Sequence, residues 1–179
     1  MKVLFISDIH GIKTNLEIIK KKMEELECDK IVMLGDLYYI GPKNKIIEGY
    51  DIDYVKDFLA GYKDKLICIR GNCDSEIDIE VSDFPIINEL SLISVDGTDI
   101  YLTHGHIYNE WNWKKKNSIL VHGHFHIPFI KEKKDCLIIS PGSISLPRDG
   151  GNPTYMVLDG NEFTIYDIYD QIVDQIRIK

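Results

Sequence analysis

The stretch that decides the fold is KVLFISDIHG at residues 2–11, an apolar run that stops at Asp8-Ile9-His10. A short apolar run bounded by polar residues is typical of a buried strand. The same arrangement recurs in IVMLGD at residues 31–36 and in LICIRGNCD at residues 66–74. Three buried strands are therefore predicted, each of which ends in a cluster of carboxylate, imidazole, amide or thiol groups.

The segments between these runs predict helices. One helix opens at Thr14 or Asn15, because apolar residues then recur at spacings of three and four with Lys and Glu between them. Asp51 or Asp53 can cap a second helix. Residues 38–50 contain Gly and Pro without a clear period, and they predict a loop. An order of strand, helix, strand, helix, strand is typical of parallel pairing in an α/β fold.

The second half of the chain is richer in predicted strands. Asp96-Gly97 separates two apolar runs at residues 90–95 and 99–103, which is a strong hairpin signal. Four further short apolar runs lie at residues 119–121, 137–139, 155–158 and 163–166. These strands predict a second sheet that packs on the first. We therefore predict an α/β fold, a two-sheet β-sandwich flanked by helices (αββα), as a single domain over residues 1–179.

The composition limits the function. The 179-residue chain has a net charge of −8 and 44% hydrophobic residues, which is typical of a globular protein. An acidic protein lacks the basic surface that supplies most of the affinity for nucleic acid, so nucleic acid is not an expected partner. Neither a membrane-spanning stretch nor a signal peptide is recognisable. Four cysteines without close pairing favour reduced thiols, so we expect a cytoplasmic protein that does not act at a membrane.

The histidines point to a metal site. All six follow apolar runs, at His10, His104, His106, His122, His124 and His126. Because ligands bind outside the carboxyl ends of strands in open α/β sheets, these clusters are expected to converge. Asp8 and His10 are two residues apart, as are His124 and His126, and on an extended segment the side chains of such a pair point to one face. Two divalent ions that share one carboxylate would use seven candidate ligands, namely Asp8, His10, Asp36, Asn72, His104, His124 and His126.

These clusters resemble the motifs of the calcineurin-like metallophosphoesterase superfamily, which run D-x-H, G-D, G-N-[HC], H and G-H-x-H. All five occur here in that order over residues 8–126. Further likeness to the small branch of YfcE-type phosphodiesterases comes from Gly71-Asn72-Cys73-Asp74, from residues 103–106 and from Pro141-Gly142-Ser143. The resemblance implies that Asp36 bridges two ions. It assigns one ion to Asp8, His10 and His126, and the other to Asn72, His104 and His124.

The resemblance also implies a reaction, the hydrolysis of a phosphodiester by a hydroxide that bridges the two metal ions. Mn²⁺ is the first choice of ion, and Ni²⁺, Co²⁺, Fe²⁺ or Zn²⁺ remain open. Two divalent ions outweigh two carboxylates, so the site attracts a phosphate ester although the protein is acidic. The expected substrate is a small-molecule phosphodiester. Relatives in this branch often form dimers or tetramers, which makes a homo-oligomer an expectation here.

Three residues beside the ligands are candidates for catalytic roles. Cys73 stands where most of the superfamily has a histidine that is thought to act as general acid, and a thiol donates a proton less readily than an imidazolium. His106 could support the substrate or a proton path, and Asp74 could orient a nearby group. Lys43 and Asn44 lie in the predicted loop, where they could touch phosphate or remain solvated.

Three other features have a structural and a functional interpretation. His122 is expected to be a strand residue or a support for a ligand. Pro141-Gly142-Ser143 predicts a turn that could also brace the site. Trp111 and Trp113, followed by three lysines, predict a surface helix with a partly buried aromatic residue, or alternatively a lid or partner surface.

A second interpretation of the whole chain is a non-catalytic scaffold. The same branch resembles Vps29, a retromer subunit that keeps the fold as a module for protein–protein interaction. Scaffold relatives have lost part of the ligand set, notably in the histidine-containing motifs. Here every ligand that matches a motif is present, which favours the enzyme.

Overall fold

The computed structural model describes residues 1–42, 44–87, 89–148 and 150–178, and its strands form two sheets. The helices are α1 Leu16–Leu26, α2 Ile52–Gly61 and α3 Glu76–Val81. The strands are β1 Lys2–Ile6, β2 Lys30–Met33, β3 Leu66–Ile69, β4 Ile86–Ile87, β5 Leu90–Val95, β6 Thr98–Thr103, β7 Ser118–His122, β8 Pro128–Lys133, β9 Cys136–Pro141, β10 Thr154–Asp159, β11 Glu162–Asp167 and β12 Ile172–Arg177.

The first sheet carries the strands that the opening motif predicts. Its order is β12-β11-β10-β1-β2-β3-β4, with β1 to β4 parallel and β10 antiparallel to β1. Helices α1 and α2 pack on one face of this sheet, where α1 buries Leu16, Ile19 and Met23. Asp51 caps α2 by accepting a hydrogen bond from the Tyr54 amide. Propensity and burial therefore agree over the first half of the chain, and capping agrees at α2, whereas Asn15 makes no side-chain cap at α1.

The second sheet has the order β5-β6-β7-β9-β8 and packs on the other face of the first sheet. Between the sheets, Phe5 of β1 belongs to the same buried cluster as Ile100 of β6 and Val121 of β7. The predicted two-sheet α/β sandwich is confirmed. The two helices that bury side chains, α1 and α2, pack on the first sheet. On the second sheet, the ring of Trp113, which lies in a loop, packs against Tyr101.

The structure differs from the prediction at the C-terminus. Strands β10, β11 and β12 join the first sheet instead of extending the second. No sequence pattern predicts β8 or β12, because both are edge strands with exposed charged residues and no continuous apolar run. The Ile130 amide of β8 donates to Asp174 of β12 and so links the two edges.

The helix predicted around Trp111 and Trp113 is wrong. Residues 104–117 form turns and bends. The side chain of Asn109 donates to the Gly105 carbonyl, and that of Asn112 donates to the Ile107 carbonyl. Such bonds compete with helical backbone bonds, which explains the irregular loop.

Two simpler expectations concern the whole chain. All four cysteines are free thiols. Within the described residues, no helix is both long enough and apolar enough to cross a membrane.

Candidate metal centre

The polar clusters that follow five strands meet at one end of the sandwich. They come after β1, β2 and β3 of the first sheet and after β6 and β7 of the second. Three groups of side chains there have ligand atoms within 4.8 Å of one another. These groups are Asp8–His10–His126, His10–Asp36–Cys73 and Asp36–His104–His124.

The backbone beneath these side chains is not extended. Asp8, His10, Asp36, His124 and His126 all have positive φ, between 53° and 73°. The expectation that Asp8 and His10, or His124 and His126, share a face of an extended segment is therefore wrong. The side chains converge because left-handed residues turn the chain sharply, and the His10 amide fixes one turn by donating to the Asp36 carbonyl at 2.9 Å.

Two motif glycines allow these loops to approach one another. A Cβ atom on Gly123 would overlap the Ser7 hydroxyl, and a Cβ atom on Gly71 would overlap the carboxylate of Asp36. Any larger residue would push apart the loops that carry the candidate ligands. The glycines of the G-H-x-H and G-N motifs therefore have a steric role.

We name Asp8, His10 and His126 the inner triad, because their exposed fractions are only 0%, 3% and 3%. His10 Nδ1 lies 2.7 Å from the Tyr39 carbonyl oxygen, and His126 Nδ1 lies 2.6 Å from that of Leu146. A carbonyl oxygen only accepts, so each Nδ1 carries the proton and donates it. Each Nε2 then presents a lone pair to the centre, which is the tautomer of a metal-bound histidine.

The inner triad fits a cation. The Nε2 atoms of His10 and His126 lie 3.3 Å apart, and two facing lone pairs repel each other unless a positive charge lies near both. Asp8 Oδ1 is 3.4 Å from His126 Nε2 and, among the described residues, has no hydrogen-bond partner although it is buried. A divalent ion would satisfy all three atoms, since carboxylate oxygens and imidazole nitrogens are its usual ligands.

We name Asn72, His104 and His124 the outer triad, because Asn72 is exposed and His124 is half-buried. His104 is buried, and its Nδ1 lies 2.6 Å from the Leu34 carbonyl oxygen. Its Nε2 lies 3.0 Å from Asn72 Oδ1 and 3.2 Å from His124 Nδ1. Burial and the neighbouring His104 lower the pKa of His124 to about 4, so its ring is neutral at physiological pH.

Asp36 lies between the two triads. Its Oδ2 atom is 3.5 Å from His10 Nε2 and 3.3 Å from His104 Nε2, and its Oδ1 accepts from the Cys73 amide. Burial would raise the pKa of Asp36, but His104 and the Cys73 amide hold it well below its usual range. Burial would likewise lower the pKa of His104, but Asp36 and Asp8 raise it to about 9. Without an ion, therefore, Asp36 and His104 form a charged pair.

Asp74 lies behind this centre. It is 4% exposed and accepts hydrogen bonds from the amides of Asp36, Leu37 and Gly71 at 2.7–2.9 Å. Its carboxylate therefore holds the loops that follow β2 and β3 together. The bonds fix the backbone on which Asp36 is mounted.

Cys73 and His106 lie beside the candidate ligands. Burial and Asp36 raise the pKa of the half-buried Cys73 thiol to about 12, so it stays protonated near neutral pH. The His106 ring centre is 5.4 Å from that of His104 and 6.1 Å from that of His124. Its Nδ1 is buried, and it has no hydrogen-bond partner within the described part of the chain.

A cleft of about 430 Å³ opens above the candidate ligands. Its rim includes Arg148, which no sequence pattern predicts because a lone loop arginine has no periodicity. Arg148 Nη2 donates to Asn44 Oδ1 at 3.2 Å, and Asn44 Nδ2 donates to the Ile40 carbonyl. Asn44 therefore lines the cleft, as one interpretation of its loop proposes. Lys43 lies outside the described residues.

Two supporting features flank the centre. The Ser143 hydroxyl donates to the Asp8 carbonyl at 2.9 Å and accepts from the Leu146 amide, so the predicted turn does brace the site. His122 is fully buried, and its Nε2 lies 3.2 Å from Glu110 Oε2. His122 thus ends β7 as a buried strand residue, as expected.

Comparisons with known proteins agree with this geometry. The profile of the calcineurin-like phosphoesterase superfamily domain matches residues 1–162. The chain belongs to this superfamily. Phosphodiesterase YfcE of Escherichia coli K12 is 34% identical over 99% of this chain and 98% of its own length. The structure of that Escherichia coli phosphoesterase superposes with a TM-score of 0.95 over the full length of both chains, at 32% identity.

The fold is also similar to that of the protein in the alternative interpretation. Vacuolar protein sorting 29 of Cryptosporidium parvum superposes with a TM-score of 0.67 at 20% identity, over 99% of this chain and 98% of its own. That likeness concerns the fold alone. The predicted family and fold are confirmed, and the enzyme is better supported than the scaffold, since the full-length similarity to the phosphodiesterase YfcE is much the stronger.

Proposed function

We propose that this chain hydrolyses a small-molecule phosphodiester with two divalent metal ions, one at each triad. The observation that carries the proposal is the position of Asp36, whose Oδ2 faces His10 of one triad and His104 of the other. A carboxylate in that place can serve two ions at once. The lone pairs of His10 and His126 and the unpartnered Asp8 Oδ1 support an ion in the inner triad.

The residues of the centre would hold the ions as follows. The inner triad supplies one carboxylate and two imidazoles, the outer triad supplies one amide oxygen and two imidazoles, and Asp36 bridges them. When bound, a pair of divalent ions supplies hydroxide at neutral pH and positive charge for phosphoryl displacement. Mixed oxygen and nitrogen ligands support Mn²⁺ as first choice, with Ni²⁺, Co²⁺, Fe²⁺ and Zn²⁺ as alternatives.

Other side chains would prepare the substrate. Arg148 at the rim attracts and orients the phosphate, since guanidinium groups bind phosphate oxygens well. The protonated Cys73 thiol lies in the cleft and can donate to a departing oxygen. His106 can extend a proton path behind His104. Asp74 acts as a positioning residue, because it binds backbone amides beneath Asp36.

The setting of this enzyme is also part of the proposal. We propose a cytoplasmic protein, supported by four free thiols. A single domain is supported by two apolar clusters that share the first sheet. A dimer or tetramer remains a proposal that sedimentation can test.

Turnover with defined metals tests the function. Metal-stripped protein would receive Mn²⁺, Ni²⁺, Co²⁺, Zn²⁺ or Mg²⁺ singly, with bis-p-nitrophenyl phosphate and p-nitrophenyl phosphate as substrates. We expect metal-dependent hydrolysis that favours the diester and is lost in Asp36→Ala. Protein that binds two ions but turns over neither substrate would point to the Vps29-like scaffold instead.

A further inference from the structure

One wall of the cleft is aromatic. Phe125 lines it and stands in the sequence between His124 and His126. Its ring is half-buried, and its centre lies 4.8 Å from that of His124 in an edge-to-face arrangement. The wall therefore begins directly beside the outer triad.

Trp111 contacts Phe125 from outside the cleft lining and is more exposed to solvent. Its ring centre lies 4.8 Å from that of Phe125, with an angle of 84° between the rings, yet 68% of the residue is exposed. An indole in such an exposed position buries little apolar area for its size, so the fold gains little from it. Trp113, by contrast, is held by the fold, because its Nε1 donates to the Ser118 hydroxyl and its ring packs against Tyr101.

The loop presents Trp111 in a fixed position. The Trp111 amide donates to Asn109 Oδ1 at 3.1 Å, and Asn109 Nδ2 donates to the Gly105 carbonyl at 2.9 Å. Gly105 directly follows His104 of the outer triad. The exposed indole is thus tied through one buried asparagine to the backbone of the candidate metal centre.

The cleft lining also has a polar part. Arg148 and Asn44 line the cleft and are hydrogen-bonded to each other. A phosphate at the metal centre would therefore have both a cation and an aromatic ring within the same cleft. An aromatic ring binds planar groups through its π face and its edge, and it tolerates any planar partner.

We propose that Phe125 and Trp111 form an aromatic subsite that selects phosphodiesters carrying a planar aromatic substituent, such as an aryl group or a nucleobase. This inference rests on the proposed function, since it places a phosphodiester at the metal centre. It makes the two rings specificity-determining residues. An alkyl diester of equal charge satisfies the metals and Arg148 but leaves the aromatic wall without a partner.

The test compares two ligands of equal charge, diphenyl phosphate and diethyl phosphate. Their inhibition constants are measured against bis-p-nitrophenyl phosphate with the Mn²⁺-loaded enzyme, and their binding is measured by calorimetry. We expect the wild-type enzyme to bind diphenyl phosphate about tenfold more tightly, as one well-placed aromatic contact allows. Trp111→Ala should remove most of this preference and leave the constant for diethyl phosphate unchanged, and Phe125→Leu should lower the preference as well.

Two controls separate recognition from folding. Trp111→Phe should keep most of the preference, and Tyr169→Ala, at an exposed aromatic residue outside the cleft lining, should keep all of it. Equal binding of both ligands by the wild-type protein would overturn the inference, as would equal weakening of both ligands in Trp111→Ala. Failure of the proposed function has a different signature, namely no turnover of bis-p-nitrophenyl phosphate, and calorimetry then still tests the subsite.

Discussion

The inner and outer triads use similar ligands in different surroundings. His10 and His126 are almost completely buried, and both donate to backbone carbonyls so that their lone pairs face inward. In the outer triad, Asn72 is exposed and His124 is half-buried beside the cleft. The inner triad is thus the more buried of the two, although His10 and His126 also line the cleft. We infer that the inner triad holds its ion more tightly than the outer triad does.

Protonation separates the triads further. Without metal, His104 carries a proton, because Asp36 and Asp8 raise its pKa to about 9 against the effect of burial. Burial lowers the pKa of His126, so the inner imidazole is neutral near pH 7. An ion has to displace the proton of His104 in the outer triad, whereas His126 of the inner triad is already neutral.

The largest effect is expected when the residue that both triads share is removed. Asp36→Ala should lower turnover of bis-p-nitrophenyl phosphate by about a thousandfold, because it removes a preorganised charge from the reacting centre. Bound metal, measured by elemental analysis, should fall from two ions to one or none. Asp36→Asn keeps the acceptor for the Cys73 amide and serves as the shape-matched variant. Two retained ions with near-normal turnover would show that the triads are independent.

Removing one ligand from each triad tests whether the two triads differ in metal binding and in stability. His124→Ala should retain one ion and lose about a hundredfold in turnover, since the inner triad remains intact. His10→Ala should also lower the melting temperature of the metal-loaded protein, because a nearly fully buried side chain is lost from the inner triad. Calorimetric melting and metal content measure both effects. Identical metal loss and identical melting in the two variants would contradict the asymmetry.

The pH dependence of metal binding follows from His104. An ion displaces the His104 proton below about pH 9, so the affinity of the outer triad should fall about tenfold per pH unit below that value. The raised pKa stabilises the folded metal-free protein at low pH, and this contribution is lost as the pH rises through 9. Mn²⁺ titrations at several pH values should show one pH-dependent site and one that depends on pH much less. Equal slopes at both sites would contradict the assignment.

A substitution of Cys73 tests whether its thiol donates a proton to the leaving group. A thiol is a weaker acid catalyst than an imidazolium, so Cys73→His should raise turnover of diesters with alkyl leaving groups by about tenfold. Diesters with p-nitrophenyl leaving groups need no proton, and their turnover should stay within about twofold. The variant is assayed on both ester classes with Mn²⁺. Absence of a gain on alkyl esters would exclude Cys73 from proton donation.

The smallest expected effect concerns Arg148 on the polar side of the cleft. Arg148→Ala should raise KM about fivefold with little change in kcat, because an exposed cation contributes modestly to binding. Arg148→Lys should recover part of the loss. Arg177→Ala removes an arginine that pairs with Glu162 on the first sheet and should leave both constants unchanged. A large fall in kcat would mean that Arg148 acts at the reacting phosphate.

Much of the fold could be predicted from the sequence, because its first half combines apolar runs with helix signals that agree. The candidate ligands could be predicted as well, since each follows an apolar run. Their geometry could not, because the left-handed backbone at Asp8 and His124 depends on contacts between loops that are distant in sequence. Arg148 and Trp111 could not be assigned for a similar reason. Their positions are fixed by hydrogen bonds within irregular loops and between them, which leave no periodic pattern.

The pairing of β10 with β1 has a consequence for synthesis on the ribosome. β1 emerges before the other described strands, but one of its edges gains a partner only after Thr154–Asp159 has been made. Until then the nascent chain carries an apolar strand with an open edge, which invites pairing with other chains. The turn at Ser143 that braces Asp8 also emerges late. Metal binding should therefore occur late in the synthesis and folding of the protein, and it should not direct the early steps of folding.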